Sequence, residues 1–187
     1  MRRSKDDAAG TRLQILHSAA AEFRQHGFDK VSVNDVMSAA GLTHGGFYRH
    51  FESKEHLIAE SCGAALESLI DSIEKYVRKS PDQLKLKSLL ERYLSPSHRD
   101  NPSTGCALAA LASEIARSNT QTRKGATNGY RRLVNLIAET LPASERDKKK
   151  RAQVIATSMI GALTLARVVD DRELSNEILR STIEHFA

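Results

Sequence analysis

The stretch SVNDVMSAAGLTHGGFYRHFESKEHL, residues 32–57, contains two short helical patterns joined through a glycine. Ser32, followed three residues later by Asp35, is an N-cap arrangement, and the helix that it starts has only about two turns before Gly41. A further short helix is predicted to extend through Phe51. Two short helices joined by a glycine, which accepts a left-handed turn, are typical of a helix-turn-helix motif. From the spacing alone, an ordinary helical hairpin is the alternative.

Two adjacent glycines, Gly45 and Gly46, fall in the predicted first turn of that further helix, which Thr43 is placed to cap. Each glycine in a helix interior costs roughly 1 kcal/mol relative to alanine, so the pair needs a compensating reason. One reason is close approach of the helix to a binding partner, because glycine has no side chain to hold the partner away. The other is tight packing of this helix against its neighbours.

Helical periodicity extends outward from this stretch in both directions. Residues 11–27, TRLQILHSAAAEFRQHG, place apolar side chains on one face, with Thr11 and Gln14 as a capping box and Gly27 as the stop. A long helix is predicted over about 53–80. Further helices are predicted at about 82–94, 106–118, 120–141, 144–169 and 173–186, and residues 95–105, with two prolines, are predicted to form a loop. The fold class is therefore all-α, with about nine helices.

The positive charge of the chain is concentrated in one region. The formal net charge is +5, but the span from Arg117 to Arg151 holds ten lysines and arginines against three acidic residues, so the remainder of the chain is slightly acidic. The run RDKKKR, residues 146–151, is interpreted as a solvated helix face, with an anion contact as the alternative. Overall basicity therefore does not by itself indicate nucleic-acid binding.

The sequence lacks the short motifs that mark common enzymes, metal sites and cofactor sites. It has no Walker loop, His-Glu-x-x-His, Cys-x-x-Cys or dinucleotide fingerprint, and its seven histidines have no ligand spacing. Cys62 and Cys106 are far apart and form neither a disulfide framework nor a metal motif. No apolar run reaches the roughly 20 residues of a membrane span. We therefore expect a cytoplasmic protein without a metal, a cofactor or a membrane partner.

Residues 31–57, preceded by ILHSAAAEFRQHGFDK, resemble the DNA-binding domain of the TetR/AcrR family of bacterial transcriptional regulators. The resemblance covers roughly the first third of the chain. It is carried by the paired alanines and phenylalanine of the first helix, Gly27-Phe28, Ala39-Ala40-Gly41, the Gly-x-x-Tyr-x-x-Phe pattern and the Ser-Lys-Glu pattern ending at Glu55. It implies a three-helix DNA-binding domain at 1–52 and a larger helical ligand-binding and dimerisation domain at 53–187. Met37 departs from the alanine more common in the pattern.

The resemblance also implies which residues contact a DNA operator. A recognition helix enters the major groove by its N-terminal end, where a bulky side chain would prevent close approach. Phosphate contacts are expected from Tyr48, His50 and Lys54, with the Ser32 and Thr43 hydroxyls as further donors. Contacts to the bases are expected from His44 and Gly45, with Asn34 and Arg49 as further candidates. Gly46 completes the set by keeping the first turn of the helix free of side chains.

The last two long helices are the candidate dimer interface. Ser158, Ala162 and Ala166 form a small-residue row, with Gly161 beside it, that would let a partner helix approach closely. An apolar stripe in the last helix consists of Leu174, Ile178, Ile183 and Phe186. Pairing both helices with their copies would give a four-helix bundle. The alternative is close packing within one subunit.

An effector pocket is expected between the long helix at 53–80 and the helices that follow it. The candidate lining residues are Cys62, Leu66, Ile70, Tyr93, Cys106, Leu111, Tyr130 and Met159. Each of these residues is equally compatible with an ordinary hydrophobic core. Cys106 follows the predicted loop, near a helix N-terminus, a setting that can activate a thiol toward oxidants or electrophiles. A buried, inert thiol is the alternative.

Together these observations predict a dimeric, ligand-responsive repressor that a small molecule releases from a pseudo-palindromic operator. A repressor that senses oxidants or electrophiles through Cys106 is an alternative within the same class. A small helical enzyme, or an adaptor that has lost DNA binding, is the alternative from another class. The residues Tyr48, His50 and Lys54 favour DNA binding over the adaptor, and the missing catalytic motifs disfavour the enzyme.

Overall fold

The computed structural model describes residues 5–187 and is helical throughout this range, as the sequence predicts. Over these residues the chain forms nine α-helices and three short 3₁₀ helices, without a β-strand. The α-helices are α1 (Lys5–His26), α2 (Val33–Ala39), α3 (Lys54–Val77), α4 (Lys85–Tyr93), α5 (Pro96–Asp100), α6 (Ala107–Arg117), α7 (Thr120–Thr140), α8 (Lys148–Val168) and α9 (Arg172–Phe186), and the 3₁₀ helices are His44–Arg49, Asp82–Leu84 and Pro102–Thr104. No helix in the described range is long and apolar enough to span a bilayer.

The predicted helix-turn-helix is confirmed, and its turn has the geometry that glycine permits. Ser32 Oγ accepts a hydrogen bond from the Asp35 amide at 3.2 Å, and Asp35 Oδ2 accepts one from the Ser32 amide at 2.8 Å, which completes the capping box of α2. After α2 the chain turns at Gly41, whose φ is +65°. The Leu42 amide donates to the Met37 carbonyl at 2.8 Å and closes the turn.

The segment after the turn is a 3₁₀ helix, His44–Arg49, where the sequence predicts a longer helix through Phe51. Adjacent glycines disfavour an extended α-helix, and a tighter turn results. Thr43 occupies the N-cap position, but its side chain makes no capping hydrogen bond. Phe47 and Phe51 are buried with their rings stacked at 5.7 Å, and they fix this segment to the rest of the domain.

Two hydrophobic cores divide the molecule, and α3 runs through both. We call α1, α2 and the 3₁₀ helix His44–Arg49 the head, and α4 to α9 the body. The head core also takes in residues from the start of α3 and from α6 and α7, namely Leu57, Ile58, Cys62, Leu111, Ile115 and Ala126. The head is therefore packed directly against the body. The boundary expected at residues 52 and 53 stays a prediction.

Close approach of α7 to α3 holds the body together. A Cβ on Gly129 of α7 would lie 2.7 Å from Cβ of Leu66 on α3, so this contact needs a glycine. The body core consists of large apolar side chains from α3, α4, α7 and α8, including Ile70, Leu89, Leu90, Ile137, Ile155 and Leu163. This packing leaves little internal space along the buried side of α3.

The predicted start of the first helix is wrong. The helix already includes Lys5, so Thr11 lies in its interior and donates its hydroxyl to the Asp7 carbonyl at 2.8 Å. Gln14 does not cap the helix but donates to the Ala40 carbonyl at 2.7 Å, at the end of α2. Ala8 and Ala9 favour a helix and Asp7 suits its first turns, so the helix extends past the capping signal in spite of Gly10.

Two further boundaries differ from the sequence prediction. The segment 95–105, expected to be a loop, contains α5 and the 3₁₀ helix Pro102–Thr104. Ser95 caps α5 by accepting a hydrogen bond from the His98 amide at 3.1 Å, and Pro96 occupies the first turn, where a missing amide costs nothing. At the other site, α8 begins at Lys148, so Ser144 lies outside the helix that it was predicted to open.

Candidate nucleic-acid interface and ligand cavities

The residues predicted to contact DNA lie together at the exposed end of the head. The side chains of Ser32, Asn34, Thr43, His44, Tyr48 and Arg49 are exposed, as is Gly45, while Gly46, His50 and Lys54 are half-buried. Tyr48 has the largest exposed fraction of any large apolar or aromatic side chain in the head, at 68%. The helix-turn-helix thus presents a continuous polar surface that the core of the head does not use.

The structure distinguishes between the two explanations for the glycine pair. A Cβ on Gly45 would meet no atom within 4 Å, and a Cβ on Gly46 would meet only the Met37 Cε at an ordinary 3.7 Å. Neither glycine has a positive φ; in the described chain only Gly27 and Gly41 do. Packing and backbone conformation therefore leave room for a side chain at both positions. The space in front of Gly45 is free for an external partner.

Aromatic packing sets which side of the 3₁₀ helix faces outward. Phe47 is fully buried, and its ring meets the Tyr48 ring edge-on at 5.1 Å. The His44 ring packs edge-on against the other side of Tyr48 at 6.3 Å. These contacts hold the phenol at the surface with a restricted orientation, which suits it to contact an extended backbone rather than a deep pocket.

Lys54 is the first residue of α3 and lies beside the 3₁₀ helix. Ser53 caps α3 by accepting a hydrogen bond from the His56 amide at 3.1 Å. Lys54 forms no ion pair with any residue between 7 and 187. Its ammonium group is therefore available to an external anion close to the positive end of the α3 dipole.

An ion-pair network missed by the sequence prediction fixes the start of α3 to α1. Arg12 on α1 pairs with the Glu60 carboxylate at 2.6 Å, and His56 Nε2 lies 2.6 Å from the same carboxylate. The Arg12 guanidinium also stacks 4.6 Å from the centroid of the Phe51 ring. His56 and Glu60 are four residues apart on α3, a pair that helical spacing can predict, whereas Arg12 is 48 residues from Glu60 and is brought to it only by the fold.

The predicted dimer residues divide between the two faces of α8 and α9. Ala162 and Ala166 are only 7% and 3% exposed and pack in the core of their own subunit, as the alternative of close packing within one subunit expects. Ser158 and Gly161 are half-buried, and a Cβ on Gly161 would meet open space. Leu174 is exposed, whereas Ile178 and Ile183 pack partly against the body core.

A different row of α8 residues provides an apolar surface. Val154, Leu165 and Val168 are exposed, and with Ser158 and Gly161 they recur every three or four residues along one side of the helix. This spacing is visible in the sequence. Both faces of α8 carry apolar residues, so the pattern alone does not say which of them is exposed.

Most of the residues expected to line the effector pocket are buried in this structure, and the pocket itself stays a prediction. Seven of its eight residues are buried. Cys62 and Leu111 lie in the head core, and the body core holds Leu66, Ile70, Tyr93, Cys106 and Met159. Tyr130 alone of the eight lines a cavity, of about 440 Å³, between α6, α7 and α8. Apolar residues at helical spacing predicted burial correctly but not the position of the empty space.

Cys106 lies beneath the surface in a cluster of polar groups. Its thiol is 1% exposed, and its amide donates to His98 Nε2 at 2.9 Å. Burial lowers the pKa of His98 to about 4, so the ring is neutral at pH 7, and its Nδ1–H donates to the Tyr93 carbonyl at 2.6 Å. Burial raises the pKa of the Cys62 thiol to about 12. The structure therefore does not favour thiol-based sensing.

Residues 7–187 show no group of three or more His, Cys, Asp or Glu side chains arranged to hold a metal ion. The chemistry of the exposed head surface is instead that of hydrogen-bond donors and of two cations, Arg49 and Lys54, beside an accessible backbone. Such a surface suits a partner with many acceptor oxygens and a groove that admits a narrow helix. A nucleic-acid duplex has both features.

Two families of known proteins match this chain, one after the other. Residues 15–61 match the family described as bacterial regulatory proteins, tetR family. Residues 85–180, just over half of the chain, match the family described as transcriptional regulator LmrA/YxaF-like, C-terminal domain. The first match contains the helix-turn-helix, and the second covers α4 to most of α9.

Individual relatives match to different extents. The probable acrEF/envCD operon repressor of Escherichia coli (strain K12) is 42% identical over 59 residues, which are 32% of this chain and 27% of that protein. The HTH-type transcriptional repressor BepR of Brucella suis biovar 1 (strain 1330) is 27% identical over 166 residues, which are 89% of this chain and 70% of that protein. The chain thus spans about a quarter of the length of the first relative and most of the second.

Solved structures share the fold over nearly the whole chain. The reduced form of E. coli NemR has a TM-score of 0.81 and 19% identity, covering 95% of both chains. A TetR family transcriptional regulator from Cytophaga hutchinsonii also has a TM-score of 0.81, with 21% identity over 98% of this chain and 96% of that one. The helix-turn-helix head, the helical body and both family matches agree, and the chain belongs to the TetR family of bacterial transcriptional regulators.

Proposed function

We propose that this protein is a dimeric transcriptional repressor that binds a pseudo-palindromic DNA operator and is released from it by a small molecule. The observation that carries the proposal is the exposed face around Gly45, where the protein leaves open space at a position that costs it helix stability. Relatives named as repressors support the direction of regulation. The proposal assigns the protein a regulatory role and no catalytic one.

In the proposed complex, the 3₁₀ helix His44–Arg49 enters the major groove and acts as the recognition helix. Gly45 lets its backbone approach the base edges, with His44, Asn34 and Arg49 as the side chains that contact bases. Tyr48, His50 and Lys54 contact phosphates. Thr43 can add a hydroxyl donor because that hydroxyl makes no capping bond, whereas the Ser32 hydroxyl already donates to Asp35 Oδ2 at 2.7 Å.

Two copies are needed to read the two half-sites of an operator. We propose that they meet through the outer face of α8, the row of Val154, Ser158, Gly161, Leu165 and Val168, extended by Leu174 on α9. Gly161 would allow the two α8 helices to approach closely. The two recognition helices would then lie about 34 Å apart, in successive major grooves.

Release by a ligand requires that the ligand bind a second conformer more tightly than the DNA-binding one. To change the ratio of the second conformer to the DNA-binding conformer from 1:99 to 99:1, the ligand must bind the second conformer more tightly by roughly 5.5 kcal/mol. Because α3 passes through both cores, a change in the body that moves α3 also moves the head. The helix is the mechanical connection that the proposal requires.

The test of this proposal separates phosphate contacts from general basicity. Lys54→Ala is compared with Lys149→Ala, which removes an exposed lysine from the basic run at the start of α8. We expect Lys54→Ala to weaken binding to operator and random DNA by the same factor and to reduce the slope of log affinity against log salt by about one. Lys149→Ala should change neither the DNA affinity nor the salt dependence. A changed base preference in Lys54→Ala, or an equal effect of both variants, would contradict the assignment.

A further inference from the structure

A cavity of about 410 Å³ lies at the junction between head and body. It is enclosed by α1, α3, α4 and the segment that contains the 3₁₀ helix Pro102–Thr104. We call it the junction cavity. Its lining residues are His17, Ala20, Ala21, Arg24, Ala64, Ala65, Ser68, Leu69, Ser72, Arg92, Ser103 and Thr104. None of the residues predicted to form the effector pocket is among them.

The lining of the junction cavity is positively charged. It includes Arg24 and Arg92 but no aspartate or glutamate. Arg92 also borders an adjoining cavity, where the carboxylates of Glu67 and Asp71 are paired with Arg132. Arg24 is half-buried and donates through Nε to the Ser103 carbonyl at 2.9 Å, which leaves its charge unpaired within residues 7–187. Arg92 is exposed, and its guanidinium lies 6.0 Å from the centroid of the Tyr76 ring, with no ion pair to a described residue.

A third arginine raises the positive potential behind the cavity. Arg167 donates to the His98 and Arg99 carbonyls at 2.8 and 3.1 Å, and its Nη1 is buried without a hydrogen-bond partner. Burial lowers the pKa of both Arg24 and Arg167, which shows how poorly solvated the two charges are. By contrast Arg132 of α7 is paired with three carboxylates on α3, those of Glu67, Asp71 and Glu74.

The remaining walls of the cavity are apolar or carry hydroxyl groups, except for the imidazole of His17. Four alanines and Leu69 form the faces of α1 and α3 that meet there, and Ser68, Ser72 and Thr104 add hydrogen-bonding groups at the edge. The volume is within the range of small-molecule sites in proteins, about 300–1,000 Å³. A ligand with a carboxylate group and a short apolar chain or ring would match both parts of this lining, because arginine guanidinium groups bind carboxylates well.

We propose that the junction cavity binds a small organic carboxylate. Its carboxylate group pairs with Arg92 and Arg24, and its apolar chain or ring lies against the alanines of α1 and α3. The part of the inference that makes this ligand the effector rests on the proposed repressor function. A ligand here touches both the head and the body. Its affinity therefore depends on their relative position, which is the condition for shifting the DNA-binding equilibrium.

Binding is tested first without DNA, by calorimetry on the dimer. The probes are octanoate and benzoate, each compared with its neutral amide. Inorganic phosphate is the third probe, an anion without an apolar group. We expect at least one carboxylate to bind at least tenfold more tightly than its amide and than phosphate. Arg92→Gln should weaken carboxylate binding at least tenfold, whereas the control Arg123→Gln, in the apolar cavity between α6 and α8, should leave it within twofold.

A second variant guards against an indirect effect of the lost charge. Ser68→Leu fills the junction cavity from the exposed side of α3 and should also weaken carboxylate binding at least tenfold. Equal affinity for acid and amide, tight binding of bare phosphate, absence of carboxylate binding, or unchanged affinity in both Arg92→Gln and Ser68→Leu would each overturn the proposed site.

The effector role is then tested by operator binding in the presence of the bound carboxylate. We expect operator affinity to fall at least tenfold in the unmodified protein and to be unaffected by the acid in Arg92→Gln. An acid that binds the cavity but leaves operator affinity unchanged would contradict the effector role. Operator binding by the ligand-free protein does not depend on this site, so failure of the ligand proposal and failure of the proposed repressor function give different results.

Discussion

Gly41 and Gly45 lie four residues apart, and the two glycines serve different purposes. Gly41 has a φ of +65°, so the turn between α2 and the recognition helix requires glycine for backbone reasons. Gly45 has no such requirement and no neighbour within 4 Å of a Cβ. The structure thus gives no internal reason for a glycine at this position, and the proposed function supplies one in the approach of DNA, so substitutions at Gly45 can separate folding from binding.

Substitutions at Gly45 should therefore change DNA binding without lowering stability. Gly45→Ala should leave the free energy of unfolding unchanged or raise it by up to about 1 kcal/mol, because alanine restricts the unfolded chain. Operator affinity should fall, and Gly45→Val should nearly abolish it. Thermal unfolding and gel-shift titration of the same samples check both expectations. A destabilised Gly45→Ala, or full affinity in Gly45→Val, would mean that the glycine serves the fold instead.

At the scale of the helix, α8 has two apolar faces with different roles. Ile155, Met159, Ala162 and Ala166 face the core of the subunit, and the row Val154, Leu165 and Val168 faces solvent. A helix that is apolar on both sides has no clear amphipathic signal, so periodicity could predict the helix but not which face meets a second copy. Of the small-residue row in the sequence, Ala162 and Ala166 belong to the inner face, whereas Ser158 lies on the outer side.

The outer face of α8 predicts a specific dimer-breaking substitution. Leu165 is 55% exposed, and Leu165→Arg should yield monomers, because a charge would be buried at the centre of the proposed interface. The control Leu84→Arg places the same change at an exposed leucine outside α8 and should leave the dimer intact. Analytical ultracentrifugation at micromolar concentration measures both. A dimeric Leu165→Arg variant would exclude this face as the interface.

Helix patterns show which residues are buried, but not where cavities remain. Cys62, Leu66 and Ile70 recur at helical spacing on α3, and burial at these positions was predictable. Whether such residues line a pocket depends on how closely the opposing helix approaches. That distance is set by Gly129, on a helix some sixty residues later, whose role becomes apparent only from its contact with Leu66.

Considered as a whole, the molecule joins a locally encoded head to a body with few sequence signals. The helix-turn-helix could be predicted because its caps, turn glycine and buried phenylalanines all fall within residues 32–57. The contacts that connect head and body could not. Glu114 accepts a hydrogen bond from the Phe28 amide at 2.6 Å across 86 positions, and Arg24 reaches Ser103 across 79. No local pattern encodes contacts over such distances.

The most direct test of sequence-specific DNA binding by this head is a footprint of the purified dimer on the DNA that flanks its own gene. We expect one protected region with approximate two-fold symmetry, with major-groove contacts at two half-sites about one helical turn apart. Gly45→Val at the same dimer concentration should give no protection. Uniform protection without a defined site, or the same footprint from Gly45→Val, would contradict the claim that the recognition helix binds the major groove of an operator.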